Sequence, residues 1–267
     1  MRPGPTDPWT KRSELFVRRW VVRAFGALVH RRRPAPDPGE LSAARVLLIR
    51  QDRIGDVLVS TPLIVALQQA LPGLTFDMLV STNNQVALAG VPAIRRGWVY
   101  ERSFASMVRL LRSIRREQYD VAVDLMDNPS ATATAFCVLS GARWTVGLAK
   151  ENDYSYDVRI PLMSRRDRHI IERLAPIAET FGVSAANATG PVVYLPKTSS
   201  RAAAREMYES LQCLARRKLG VNISAGSERR FWGTDRFRAF IQYLHMTDPS
   251  ATIIILSKPS DHERACE

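Results

Sequence analysis

The sequence predicts an α/β fold on parallel sheets. Short aliphatic runs bounded by turns alternate with longer segments of helical periodicity. That alternation starts at residue 45 and begins a second cycle near residue 190. The composition is globular, 46% hydrophobic and 24% charged over 267 residues. This excludes a disordered, collagen-like or disulfide-scaffold chain. At roughly 100–200 residues per domain, two modest domains fit.

The elements follow in order. Arg45–Arg50 (RVLLIR) is a buried-strand candidate. A helix is expected from Asp56 to Ala70, closed by Leu71-Pro72-Gly73, with Pro62 as a misfit that should kink it or delay its start. Strands are expected at Thr75–Val80, Trp98–Tyr100, Tyr119–Leu125 and Arg143–Leu148, with a helix over Phe104–Glu117. A long helix, His169–Phe181, leads to a strand-like Gly190–Pro196. The second cycle has a helix at Ser200–Arg216, a strand at Gly220–Ser224, a helix at Thr234–His245 and a strand at Ala251–Leu256. The expected organisation is a leader over 1–44, a first domain over 45–189 and a partial second domain over 190–267. A parallel sheet with only two cycles covers its faces poorly, so the second domain is read as part of a longer protein.

The leader has its own character. Over 1–44, nine basic residues face four acidic ones. Ser13–His30 reads as an amphipathic helix, with Phe16, Val17, Trp20, Val21, Ala24 and Leu28 on one side and Arg12, Arg19 and Arg23 on the other. Arg31–Arg33 follow, then a proline-rich linker to Ala43. Such a helix suits an anionic membrane surface through residues 13–33; packing on the protein's own body is the alternative. No stretch is long and apolar enough to cross a bilayer. Three scattered cysteines form no framework, which suits a reducing compartment. The net charge of +12 is carried by 33 arginines and five lysines. That suits an anionic partner, although arginine preference also follows from genome composition.

Two blocks could carry chemistry. In Leu47–Pro62 (LLIRQDRIGDVLVSTP), a buried strand runs into a polar turn, Gly55, and a helix opening with Asp56. Ligands of open α/β sheets bind outside such strand ends. Gly55 would permit a sharp turn. Asp56 is either a first-turn acid serving the helix dipole or a proton acceptor facing a cleft. In Val221–Phe237, a strand ends in Ser224-Ala225-Gly226, followed by Arg229 and Arg230. Small residues bring backbone N–H groups near an anion and arginine adds charge, so a diphosphate would fit; a solvated surface loop is the alternative. A dinucleotide fingerprint and a Walker lysine are absent. Asp124–Asp127 (DLMD) reads as a strand end and turn rather than a metal motif. His169 and His262 read as helix-start or surface residues.

Together these blocks resemble glycosyltransferase family 9, the heptosyltransferase-like enzymes of lipopolysaccharide core assembly. The resemblance rests on Arg50, Gly55, Asp56, Thr61 and Pro62, on YDVAVDL (Tyr119–Leu125), and on the NISAG, RRFW and RF blocks between Asn222 and Phe237. It spans Arg45 to about Leu256. It implies a GT-B-like fold: a complete N-terminal Rossmann-like domain for the acceptor and an incomplete second one for a nucleotide-sugar. It places the catalytic base on Asp56 and the phosphate turn on Ser224, Ala225 and Gly226. The basic residue before the aromatics falls on Arg230, with Arg229 beside it. Arg53 stands where many members carry small hydroxyl residues and is a candidate acceptor or phosphate contact. The resemblance further implies an inverting, metal-independent transfer of a heptose-like sugar to a lipid-linked glycan, without a cofactor, at the cytoplasmic face of an inner membrane. It also implies a further acidic, glycine-rich donor segment beyond residue 267. A non-catalytic glycan- or membrane-binding remnant is the runner-up. A nucleic-acid partner is disfavoured, since outside the leader the basic residues do not interleave with aromatics.

Overall fold

The computed structural model describes residues 33–151, 153–210 and 217–266. The expected leader helix, Ser13–His30, lies outside them. The chain divides after Pro196 into two compact units.

The first unit is a six-stranded parallel sheet. Its strands are β1 (Arg45–Ile49), β2 (Thr75–Ser81), β3 (Ile94–Tyr100), β4 (Val121–Asp124), β5 (Trp144–Leu148) and β6 (Val158–Ile160), in the order β3-β2-β1-β4-β5-β6. The chain builds outward from β1 to one edge, then returns to β4 and builds to the other. The strand order therefore reverses between β1 and β4, and the crevice outside their carboxyl ends is where such sheets take ligands.

β1 shows how the sheet is buried on both sides. Val46 and Leu48 enter a core with Leu63, Ile64, Leu67 and Phe181. Leu47 and Ile49 enter the opposite core with Ile114, Phe136 and Cys137. Alternation along one strand thus serves two helical layers.

The helix expected from residue 56 to 70 is two helices, α1 (Ile54–Leu58) and α2 (Thr61–Ala70). Pro62 has no N–H for the Leu58 carbonyl, which instead accepts from Thr61 Oγ1 at 2.7 Å. The Asp56 carbonyl accepts from Ser60 Oγ at 2.8 Å, while the Ser60 N–H turns to Val57 O. Side-chain donors replace the ladder at this joint, so the helix breaks and restarts. A proline has the same effect on the expected helix from 169 to 181. It is a short helix, α5 (Ile170–Leu174), followed by a 3₁₀ turn over Ala175–Phe181 with Pro176 at its start, closed by Gly182 at φ 73°.

Between these lie α3 (Phe104–Arg116) and α4 (Ala131–Leu139). Ser103 and Ser130 cap them by accepting from the N–H groups of Ser106 and Ala133. α4 and β6 lack a clear periodic signature, and β3 begins four residues before the expected Trp98. The proline-rich linker is not loose along its length. The Arg33 N–H donates to Asp157 Oδ1 at 2.7 Å, and Leu41 is fully buried at the end of a 3₁₀ turn, Pro38–Leu41, capped by Asp37.

Residues 190–196 are not a strand and belong to the first unit. The Val193 N–H donates to Thr61 Oγ1 at 2.8 Å, and that of Leu195 to Gly90 O at 2.7 Å. The Tyr194 ring lies where a side chain on Gly90 would sit.

The second unit contains α6 (Thr198–Ser210), β7 (Arg217–Asn222), α7 (Thr234–Thr247), β8 (Ala251–Leu256) and α8 (His262–Cys266). β7 and β8 pair in parallel, from Arg217 opposite Ala251 to Asn222 opposite Leu256. α6 buries none of its residues among those described, and the few buried side chains of the unit include Val221, Ile223 and Asp261.

Candidate functional site

The first candidate site is built at the carboxyl end of β1. Arg50 follows the strand and is fully buried. Its Nε donates to Asp56 O at 3.0 Å, and its Nη1 donates to Leu125 O beyond β4. One guanidinium therefore ties the first turn of α1 to the end of the neighbouring strand across the switch point. The same group sits 3.4 Å from Asp52 Oδ1 and 3.6 Å from Asp56 Oδ1. Asp56 is in the first turn of α1, where the positive end of the helix favours a carboxylate. Its side chain is 33% exposed. The cap position belongs to Arg53, which makes no capping bond, and Asp56 contributes its carboxylate to the Arg50 pair instead.

Asp52 is an addition that sequence reading missed. Burial raises its carboxyl above the ordinary value; Arg50 opposes that shift and Asp56 adds to it. Arg50 Nη2, Gln51 Nε2 and Asp52 Oδ1 are all buried without a hydrogen-bond partner. Arg50 Nη2 and Asp52 Oδ1 lie instead in the ion pairs of Arg50 with Asp56 and Asp52, so this turn is held by charge as well as by hydrogen bonds. The signal in the sequence was an acid two residues past a strand that already ends in arginine.

Gly55 does not work as a turn. It is the second residue of α1, has no left-handed φ, and a Cβ there would meet nothing within 4 Å. What it provides is open space beside Asp56. Arg53 is exposed on the same turn.

The end of β4 is fixed by a second ionic group. Lys150 and Asp124, both buried, pair at 2.9 Å, with Tyr156 donating to the same carboxylate and Lys150 also donating to Met126 O. Asp127 accepts from Arg173 at 3.0 Å and pairs with Arg165 at 3.1 Å. The DLMD acids thus serve structural cations, and no cluster with the makings of a metal site occurs among the described residues. His169 is the N-cap of α5, accepting from the Ile171 N–H, while Glu172 accepts from the His169 N–H. His262 is the first residue of α8.

In the second unit, the turn Ser224-Ala225-Gly226 follows β7, and Gly226 is open on its Cβ side. The Ser224 N–H already donates to Asn222 Oδ1 at 3.0 Å, so only the next two N–H groups can serve an anion here. Lys258, from the turn after β8, braces this loop. Its N–H donates to Ser224 Oγ at 2.8 Å and its Nζ to Ala225 O at 3.0 Å, with Asp261 3.5 Å from Nζ. Sequence reading missed Lys258 because only parallel pairing brings the two turns together. Arg229 and Arg230 lie exposed in a 3₁₀ turn over Glu228–Arg230. Glu228 is held by Arg264 at 2.9 Å, and Arg264 stacks over Phe231 at 4.6 Å.

Comparisons with known proteins agree with this architecture. A glycosyl transferase family 9 structure from Veillonella parvula superposes with a TM-score of 0.71 at 19% identity, covering 84% of this chain and 66% of that one. The E. coli heptosyltransferase WaaC with ADP gives 0.60 at 20% identity, covering 83% and 70%. The E. coli ADP-heptose lipopolysaccharide heptosyltransferase II gives 0.61 at 18%, covering 83% and 67%. The chain thus spans about two thirds of the length of these structures, and the likeness is one of fold. No curated protein matches in sequence. The family model for glycosyltransferase family 9 (heptosyltransferase) matches residues 107–267, which takes in the Ser224 turn and leaves Asp56 outside. With more than half of its length matched and a GT-B-like α/β architecture, the chain belongs to glycosyltransferase family 9.

Proposed function

We propose that this chain serves an inverting transfer of a heptose-like sugar from a nucleotide-sugar to a lipid-linked glycan such as lipopolysaccharide core, with Asp56 as the base. The observation that carries the reading is the partly exposed Asp56 carboxylate, positioned on its inner side by the buried Arg50. An acceptor hydroxyl beside Asp56 gives up its proton to the carboxylate as its oxygen bonds to the anomeric carbon. The bond to the nucleoside diphosphate breaks, and the pair of electrons leaves on the phosphate oxygen. The Ala225 and Gly226 N–H groups and the Arg229 and Arg230 side chains are suited to receive that charge, which removes the need for a metal or other cofactor. Ser224 shapes the turn, and Arg53, on the rim beside Asp56, is suited to an anionic group of the acceptor. A base of this kind contributes about 10²–10⁴-fold to rate.

The site of action follows as part of the same proposal. The acceptor is lipid-linked, so the protein works as a peripheral protein on the cytoplasmic face of an inner membrane, with residues 13–33 as one point of attachment. Among the described residues, no helix is long and apolar enough to cross a membrane.

The test is release of ADP from ADP-heptose in the presence of a lipopolysaccharide core acceptor. Asp56→Ala is expected to lower turnover at least about a hundredfold with an unchanged circular-dichroism melt. Turnover at the original rate removes Asp56 from the role of base. One alternative is a chain that binds glycan or membrane without transfer. Saturable acceptor binding with no diphosphate release identifies it.

A further inference from the structure

Helix α3 turns Met107, Leu110, Leu111 and Ile114 toward the sheet. Its outer side is cationic. Arg109, Arg112 and Arg116 are exposed and fall within roughly 60° of one another at 100° per residue. Phe104, which opens the helix at the carboxyl edge of the sheet, lies roughly 80–140° around the helix from those arginines and is 77% exposed. Two acids stand nearby. Glu101 reaches Arg109 only at 4.0 Å, both being exposed. Glu117 is already held by Arg45, Arg95 and Arg96. Arg112 and Arg116 have no acidic partner among the described residues. Residues 95–117 therefore carry seven arginines against two glutamates.

We propose that α3 docks on an anionic lipid bilayer through its arginine face, with Phe104 at its N-terminal end as a separate apolar contact. Guanidinium groups without internal counterions complement a negative surface, and a phenyl ring held in water gains by insertion between headgroups. Duplex nucleic acid would use the charge but offers the phenyl ring no apolar interior to enter. The placement also has a consequence for the acceptor. Phe104 follows the carboxyl end of β3, and in an all-parallel sheet that end lies on the same edge as the carboxyl end of β1, which leads to Asp56. Docking there brings a lipid-anchored glycan to the edge that carries the base. That last step rests on the function proposed above; the docking itself does not, because it is read without turnover.

The test uses the full chain and sedimentation with phosphatidylglycerol/phosphatidylcholine vesicles, against pure phosphatidylcholine. Binding to the anionic vesicles is expected. R109E/R112E/R116E is expected to weaken it about tenfold or more, and R109K/R112K/R116K to retain it. F104S is expected to weaken it severalfold. The same losses are expected when Arg19→Glu and Arg23→Glu have removed the leader's contribution. The side chains of Phe104, Arg109, Arg112 and Arg116 are exposed, and an unchanged melt checks that the fold survives. The proposal is overturned if the full chain ignores anionic vesicles, if charge reversal on α3 or F104S leaves partition unchanged, or if the α3 arginines govern binding of an RNA oligonucleotide but not of vesicles. Asp56→Ala is expected to leave partition intact, so loss of catalysis and loss of docking are separate results.

Discussion

The two units are written in the same βα pattern but differ in how much they bury. In the first unit, six parallel strands carry a helical layer on each face, and every residue of β4 and β5 is buried. In the second, two parallel strands leave Ile255 39% and Leu256 48% exposed, and α6 contributes nothing to a core. A parallel strand needs cover on both faces, and cover comes from neighbouring cycles rather than from its own residues. The aliphatic run Ala251–Leu256 is as apolar as Arg45–Ile49, so the difference arises from the number of neighbours and not from local sequence.

This contrast can be broken by substitution. The largest effect is expected for Phe136→Ala, which empties part of a closed core in the first unit and should cost about 3–5 kcal/mol in urea denaturation. Lys150→Met should come next, at about 3 kcal/mol, because it leaves the Asp124 carboxylate buried without its ammonium partner. Ile255→Ala in the second unit should cost about 1 kcal/mol or less, since that side chain keeps much of its contact with water. Hydrogen exchange by mass spectrometry assigns each loss to its unit. A cost for Ile255→Ala equal to that for Phe136→Ala would show that the second sheet is covered in solution.

The smallest effects are pH-dependent and of opposite sign. The Asp52 carboxyl is raised by burial, so the folded state holds its proton more tightly than the unfolded one. Its contribution is present below the unfolded value of 3.8 and is lost as pH rises through the folded value. Asp52→Asn should therefore stabilise the protein at neutral pH relative to the parent, with the gain vanishing near pH 3. Glu117 is lowered, chiefly by its hydrogen bond from Arg95. Its contribution is present above 4.5 and is lost as pH falls through the folded value. Glu117→Gln should destabilise at neutral pH and converge with the parent in acid. Melting temperature against pH for both variants checks the two signs together.

Much of this was legible in the residues. Aliphatic runs located β1, β2, β4, β5 and β8 because buried parallel strands are nearly continuous in hydrophobicity. Pro62 announced the break between α1 and α2, although not the hydroxyl groups that fill its carbonyls. Pro176 carried the same message and was read through. β6 is too short to show a period, and Gly190–Pro196 looked like a strand because its apolar residues pack on the first unit without joining a sheet. At the site, Asp56 could be singled out from its strand-turn-helix setting. The partners of Arg50 could not be, since Leu125 meets it only through the β1–β4 pairing. Lys258 was hidden for the same reason, being adjacent to Ser224 only across β7 and β8.

The meeting of Gly90 and Tyr194 carries a lesson for variation in this protein. A Cβ at position 90 would lie 2.1 Å from the tyrosine ring, so the ring would have to move. Any enlargement at 90 therefore requires the part-exposed ring to turn away, while the amides of Val193 and Leu195 can keep their hold on Thr61 and Gly90. Tolerance of a larger residue at 90 is thus set by the room the tyrosine has to move, and a smaller side chain at 194 would widen it.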